Sequence, residues 1–145
     1  MNSWLKAIAS FFYIGYLPKA PGTFGSLAGL TIAWFFNQHL MFILISFLLI
    51  GLLISRPARN TFGNDDPKEF VLDEVIGAML TVLWLPKTPL FFLAGFLLFR
   101  LFDIWKPWPI ILIQKSKSTL GIIGDDLAAG FSANLILQIA LKFQS

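Results

Sequence analysis

Leu40-Met41-Phe42-Ile43-Leu44-Ile45-Ser46-Phe47-Leu48-Leu49-Ile50-Gly51-Leu52-Leu53-Ile54 is fifteen residues without a charge. Its apolar side chains run continuously instead of alternating, so a half-buried strand does not fit. A sheet inside a membrane must also close into a barrel built from alternating segments. The stretch therefore reads as an apolar helix.

The surrounding sequence repeats the pattern. Four further apolar stretches run from about Phe24 to Phe36, Val71 to Leu85, Leu90 to Phe102 and Leu120 to Leu141. Polar or proline-rich breaks separate them: Asn37-Gln38-His39, Arg56-Pro57, Asn64-Asp65-Asp66-Pro67, Pro86-Lys87-Thr88-Pro89 and Lys106-Pro107-Trp108-Pro109. Arg56-Pro57 is expected to end the second segment. Only 13% of the 145 residues are charged, against about 25% in soluble domains, and the mean hydropathy is +0.75. The expected fold is all-α: a polytopic membrane helical bundle of about five short transmembrane or re-entrant helices, forming one domain over residues 1–145. Several segments fall short of the roughly 20 residues a span requires, so local thinning or one re-entrant segment is expected. The N-terminus lacks a small-x-small cleavage site after its broken apolar stretch and does not read as a signal peptide.

Composition removes several kinds of chemistry. There is no cysteine and a single histidine, His39, so neither a thiolate site nor a multi-histidine zinc site can form within one chain. No basic run points to nucleic acid. The net charge of +3 has another use. If all five segments cross, Lys6, Lys19, Arg56, Arg59, Lys68, Arg100, Lys106, Lys115 and Lys117 share one side, and only Lys87 and Lys142 lie opposite. That bias places the richer side in the cytoplasm and against anionic headgroups.

All eight acidic residues fall on that same side. Asp65, Asp66 and Glu69 sit in a polar loop and read as solvated. Asp73-Glu74, Asp103 and Asp125-Asp126 instead interrupt apolar sequence. A carboxylate among hydrocarbon costs roughly 2.5–3.5 kcal/mol on insertion scales, so these five need compensation. Interfacial ion pairs with Arg100, Lys106 and the loop lysines are one answer. Adjacent carboxylates at two places favour another: a hard, oxygen-preferring ion such as Mg²⁺ held between them.

Arg100, Asp103 and Lys106 recur at a spacing of three, on one face if the helix extends that far. Two cations around a carboxylate suit a phosphate beside a metal; the bland alternative is snorkelling to headgroups. Gly22, Thr23 and Ser26 precede or open the first apolar segment, where free amides make an anion site. Thr23 or Ser26 capping that helix is the better reading by chemistry alone. Small residues at Gly25, Ser26, Ala28 and Gly29, and at Ala128, Ala129, Gly130, Ser132 and Ala133, are expected to draw the first and fifth segments together and carry Thr23 towards Asp125-Asp126. Trp105 and Trp108 fit an interfacial element or plain packing.

Four blocks resemble one family: Pro21-Gly22-Thr23-Phe24-Gly25-Ser26, Asp73-Glu74-Val75-Ile76-Gly77, Phe99-Arg100-Leu101-Phe102-Asp103-Ile104-Trp105-Lys106-Pro107-Trp108-Pro109-Ile110, and Gly121-Ile122-Ile123-Gly124-Asp125-Asp126-Leu127-Ala128-Ala129-Gly130. They are similar to phosphatidylglycerophosphatase A in order and spacing, over nearly the whole chain. The resemblance implies a multi-pass enzyme of the bacterial inner membrane. It implies Mg²⁺-dependent hydrolysis of phosphatidylglycerophosphate to phosphatidylglycerol and phosphate, with the site facing the cytoplasm. Under that reading Glu74, Asp103, Asp125, Asp126 and Asp73 hold the metal, and Arg100 and Lys106 bind phosphate with help from Gly22, Thr23 and Ser26. Asp103, Asp126, Glu74 and Lys106 carry catalysis. The competing class is a small transporter or ion-conducting protein, since intramembrane carboxylates also mark ion paths; a noncatalytic lipid-binding subunit is a third.

Overall fold

The structure is a computed structural model that describes residues 2–63, 67–115 and 119–144, with backbone only at Thr119 and Leu120. Asp65, Asp66 and Lys117, counted above on the cytoplasmic side, lie outside the described residues. Within these, the chain is helical and has no strand. The helices are α1 (Ser3–Ala9), α2 (Pro21–Phe35), α3 (Leu40–Phe62), α4 (Leu72–Thr81), α5 (Pro89–Trp105), α6 (Ile110–Lys115) and α7 (Thr119–Gln144). Short 3-10 turns at Ile14–Tyr16 and Asn37–His39 lead into α2 and α3.

Among the described residues, two helices are long and apolar enough to cross a membrane, Asn37–Phe62 and Gly121–Gln144. Exposed Phe42, Leu53, Leu93, Leu97, Phe131 and Ile139 on α3, α5 and α7 form an apolar outer surface. Together with the composition, this is what a membrane bundle presents to lipid.

α3 corrects the expected stop at Arg56-Pro57. The helix runs through Pro57 to Phe62 and closes on Gly63, whose φ of 69° directs its N–H to the Arg59 carbonyl at 3.0 Å. An interior proline costs about 3 kcal/mol. Here Ser55 and Ala58 on either side are fully buried, so the helix is packed against its neighbours through the proline.

The third apolar stretch behaves differently from the others. Only Leu72–Thr81 is helical, about 15 Å at 1.5 Å per residue, and residues 82–88 follow without helix. Non-helical backbone in an apolar setting survives only where protein groups satisfy it. α7 supplies them: Asn134 Nδ2 donates to the carbonyls of Thr81 and Leu83, both at 2.9 Å, and Gln138 Nε2 donates to Leu83 at 3.3 Å. Thr88 then caps α5, accepting from the Phe91 N–H at 3.3 Å, with Pro89 in the first turn.

α4 is the centre of the bundle, and eight of its ten residues are buried. The expectation that the first and fifth segments pack on each other is corrected by its position between them. Gly25 and Gly29 of α2 lie against Val71 and Val75 on one face of α4, while Gly130 of α7 lies against Gly77 on the other. Both small-residue faces are used, but each on α4. α1, not foreseen as a helix, packs on α3. It also braces the start of α4, through the Ala9 carbonyl accepting from the Val71 N–H at 3.0 Å.

Candidate active site

Four helix ends meet at one end of the bundle: the starts of α2, α4 and α7 and the finish of α5. Asp73 and Glu74 occupy the first turn of α4, where the helix dipole favours negative charge. Asp125 and Asp126 lie in the first turns of α7. Arg100 and Asp103 lie in the last turns of α5. Lys106 caps that helix in a left-handed conformation, φ 50°, its N–H on the Phe102 carbonyl. The helix therefore stops one residue short of Lys106, yet the spacing of three still works: Arg100 and Lys106 both pair with Asp103, the latter at 3.3 Å.

Lys106 Nζ also donates to Asp125 Oδ2 at 2.8 Å. Burial disfavours the charged amine, but the bond to Asp125 and the charges of Asp125, Asp126 and Asp103 outweigh it and hold Lys106 above the usual lysine range. Ion pairing thus accounts for Asp103 and Asp125. Among the described residues it leaves Asp73, Glu74 and Asp126. Asp73, Asp125 and Asp126 are 6%, 7% and 2% exposed, and each brings a carboxylate oxygen within 4.8 Å of the others. Asp126 Oδ1 and Glu74 Oε2 are buried with no hydrogen-bond partner among the described residues.

Five carboxylates with two paired cations leave excess negative charge in a buried place. Converging all-oxygen donors with unsatisfied buried oxygens fit a hard divalent cation. The acidic cluster is thus compatible with a divalent metal.

A cavity of about 270 Å³ opens beside the cluster. Ala20, Pro21 and Gly22 form one wall, Pro67, Lys68 and Phe70 another, and Asp73, Glu74 and Arg100 the floor. Gly22 lets the start of α2 sit close to both: a Cβ there would lie 2.8 Å from Glu74 Oε1 and 3.3 Å from Arg100 Nη1. Ser26 does not reach the cavity; it is fully buried and its hydroxyl donates to the Gly22 carbonyl at 2.8 Å. Neither Thr23 nor Ser26 caps α2, which begins at Pro21 after Ala20 with no side-chain cap. Thr23 sits in the first turn, its N–H on the Ala20 carbonyl. Lys68 and Phe70 were not singled out for the site by their residue types; their nearness in sequence to Asp73-Glu74 was the available signal. At the opposite end, Lys87 lies over the Trp34 ring at 5.0 Å and lines a separate cavity with His39.

The sequence model of phosphatidylglycerophosphatase A matches residues 7–141. The chain belongs to the phosphatidylglycerophosphatase A family. It is 35% identical over 136 residues to the Escherichia coli phosphatidylglycerophosphatase A, covering 89% of this chain and 78% of that one. The Haemophilus influenzae phosphatidylglycerophosphatase A is 33% identical, covering 92% and 86%. A Bacteroides thetaiotaomicron protein provisionally named a phosphatidylinositol-3-phosphatase is 28% identical, covering 92% and 91%. No solved structure matches. Membership makes the chain an enzyme, a phosphatase of phospholipid metabolism, and the cluster at the α4–α5–α7 junction is where its sequence and its geometry concentrate charge.

Proposed function

We propose that this chain hydrolyses the terminal phosphomonoester of phosphatidylglycerophosphate, releasing phosphatidylglycerol and inorganic phosphate, at a Mg²⁺-dependent site on the cytoplasmic face of the bacterial inner membrane. The observation that carries the reading is the convergence of Asp73, Asp125 and Asp126 within 4.8 Å beside Arg100 and Lys106. One-sided carboxylates suit a headgroup at the bilayer boundary better than a transport path, which needs polar groups through the membrane.

Asp73, Asp125 and Asp126, with Glu74 and Asp103 beside them, would hold Mg²⁺. When bound, Mg²⁺ would supply neutralisation of phosphate charge and a lowered pKa for water. The remaining chemistry belongs to the chain. Arg100 faces the cavity with its Nε unpartnered, a donor for a phosphate oxygen in the planar fork that suits phosphate. Lys106 stays charged and holds Asp103 and Asp125 in place while adding positive potential. Glu74, with Oε2 unpartnered, is positioned to accept the proton of the attacking water. The water oxygen becomes the fourth oxygen of the released phosphate, and the proton taken up by Glu74 passes to the departing glycerol oxygen, which leaves as the alcohol. Charge stabilisation carries most of the acceleration.

Topology follows the same reading. The chain is one membrane-embedded domain that crosses five times, with α4 and residues 82–88 together making one crossing. Trp4, Ile8, Phe12, Tyr13, Tyr16 and Leu17, all exposed, with Lys6 and Lys19 nearby, lie at the cytoplasmic interface, where aromatic side chains are favoured.

The deciding experiment is phosphate release by the purified protein in mixed micelles of phosphatidylglycerophosphate, with and without EDTA, with phosphatidylinositol 3-phosphate and phosphatidate as competing substrates. Release from phosphatidylglycerophosphate that EDTA abolishes and Mg²⁺ restores is expected. Undiminished release in EDTA sinks the metal reading, and turnover of another lipid phosphate alone sinks the substrate.

A further inference from the structure

α4 and α7 run parallel from the site end of the bundle and cross where neither has a side chain. A Cβ on Gly130 would lie 2.5 Å from the Gly77 carbonyl oxygen. A Cβ on Gly77 would lie 2.6 Å from the Phe99 ring and 2.8 Å from the Asp126 carbonyl oxygen. The two backbones therefore touch, as small residues allow between membrane helices. Asp73 lies four residues before Gly77, and Asp126 four before Gly130. Residues four apart share a helix face one turn away. In parallel helices that turn points the same way, so the contact delivers the two carboxylates opposite each other at one height.

We infer that Gly77 and Gly130 are positioning residues for the carboxylate cluster: their backbone contact sets the separation of Asp73 from Asp126 at which one divalent ion can be shared. The inference rests on the metal reading above. Ordinary contact begins near 3.4 Å, so a methyl at 2.5 Å demands a shift of about 0.9 Å. Mg²⁺ accepts oxygens near 2.0–2.1 Å in near-ideal octahedral geometry. A shift of that size removes a carboxylate from reach without unfolding the bundle.

A matched control exists on the other face of α4. A Cβ on Gly29 would meet the Val75 carbonyl oxygen at 2.4 Å, so Gly29→Ala crowds the α2–α4 contact as severely while adding no atom to the α4–α7 crossing. Full-length wild type, Gly130→Ala and Gly29→Ala are titrated with Mn²⁺, following free Mn²⁺ by electron paramagnetic resonance, and their Tm values are measured. The expected result is a comparable fall in Tm for both variants, with Mn²⁺ affinity at least tenfold weaker in Gly130→Ala and within twofold of wild type in Gly29→Ala. Equal affinity in wild type and Gly130→Ala, or equal weakening in both variants, overturns the inference. Failure of wild type to bind Mn²⁺ overturns the metal reading instead. If Gly130→Ala does not fold, Asp126→Glu in the native crossing probes the same gap with a longer arm. Tenfold weaker Mn²⁺ binding supports the inference, and unchanged binding overturns it.

Discussion

The Lys106 amine donates to Asp125 at 2.8 Å, joining the end of α5 to the start of α7 across nineteen residues of sequence. The same amine reaches Asp103, so one cation ties together carboxylates from two helices. Lys106→Gln keeps a polar arm, one bond shorter, and deletes the charge. It is expected to lower kcat/KM on the order of 10²-fold, the scale of a lost electrostatic donor, with Lys106→Arg retaining part of it. The pH dependence has a definite sign. The folded-state pKa is raised, so the contribution of the charged amine is complete below the ordinary lysine value and is lost only above it. A pH–rate profile between 6 and 9 should therefore show no limb that disappears in Lys106→Gln.

Asp126 is the most buried of the clustered carboxylates and keeps one oxygen without a partner. Asp126→Asn preserves shape and removes charge. Turnover should fall by about 10²–10³-fold, and the Mg²⁺ concentration for half-activation should rise. Asp103→Asn should lose turnover as well, because Arg100 and Lys106 both orient on Asp103. Full turnover in both variants would remove these residues from the site.

Gly22→Ala places a methyl 2.8 Å from Glu74 Oε1 and 3.3 Å from Arg100 Nη1. Both neighbours are the ends of flexible side chains and will move. The fold should survive with little change in Tm, while kcat/KM drops by roughly tenfold, since misplacements near 1 Å are costly at a reacting centre. Wild-type kinetics would show that the two side chains need no fixed position.

Asn134→Leu is the contrasting case, far from the cluster. It strips the Thr81 carbonyl of its Asn134 donor and leaves the Leu83 carbonyl with Gln138 alone. Each buried orphan costs about 1–3 kcal/mol. Stability should fall by that order, read as Tm in detergent, while kcat/KM per folded molecule stays at the wild-type value.

The chain contains no cysteine, so topology can be read with single added thiols. Lys19→Cys should react with a membrane-impermeant maleimide only from the cytoplasmic side, and Lys87→Cys only from the other. Reaction of both from one side would rule out five crossings.

Much of this was legible in residue order. Asp73-Glu74, Asp103 and Asp125-Asp126 stand out because a carboxylate in apolar sequence is costly unless something compensates it, and that argument needs no coordinates. The spacing of Arg100, Asp103 and Lys106 also carried through, although the helix ends before Lys106. Helix limits were less legible. Arg56-Pro57 looks like a stop, and only the burial of Ser55 and Ala58 shows why α3 continues. Val71–Leu85 looks like one span. Its last four residues leave the helix, with Asn134 and Gln138, some fifty residues later, satisfying the backbone there.

The five acids that interrupt apolar sequence and the cations around them were determined by sequence alone, because charge and hydropathy are local properties of residues. Which acids meet was decided only by the tertiary structure. Gly25, Gly29 and Gly130 announce close packing but not its partner. Both faces pack on α4: Gly25 and Gly29 let α2 approach Val71 and Val75 on one side, and Gly77 with Gly130 lets α7 approach on the other. That packing puts Asp73 beside Asp126 and turns five separate charges into one site.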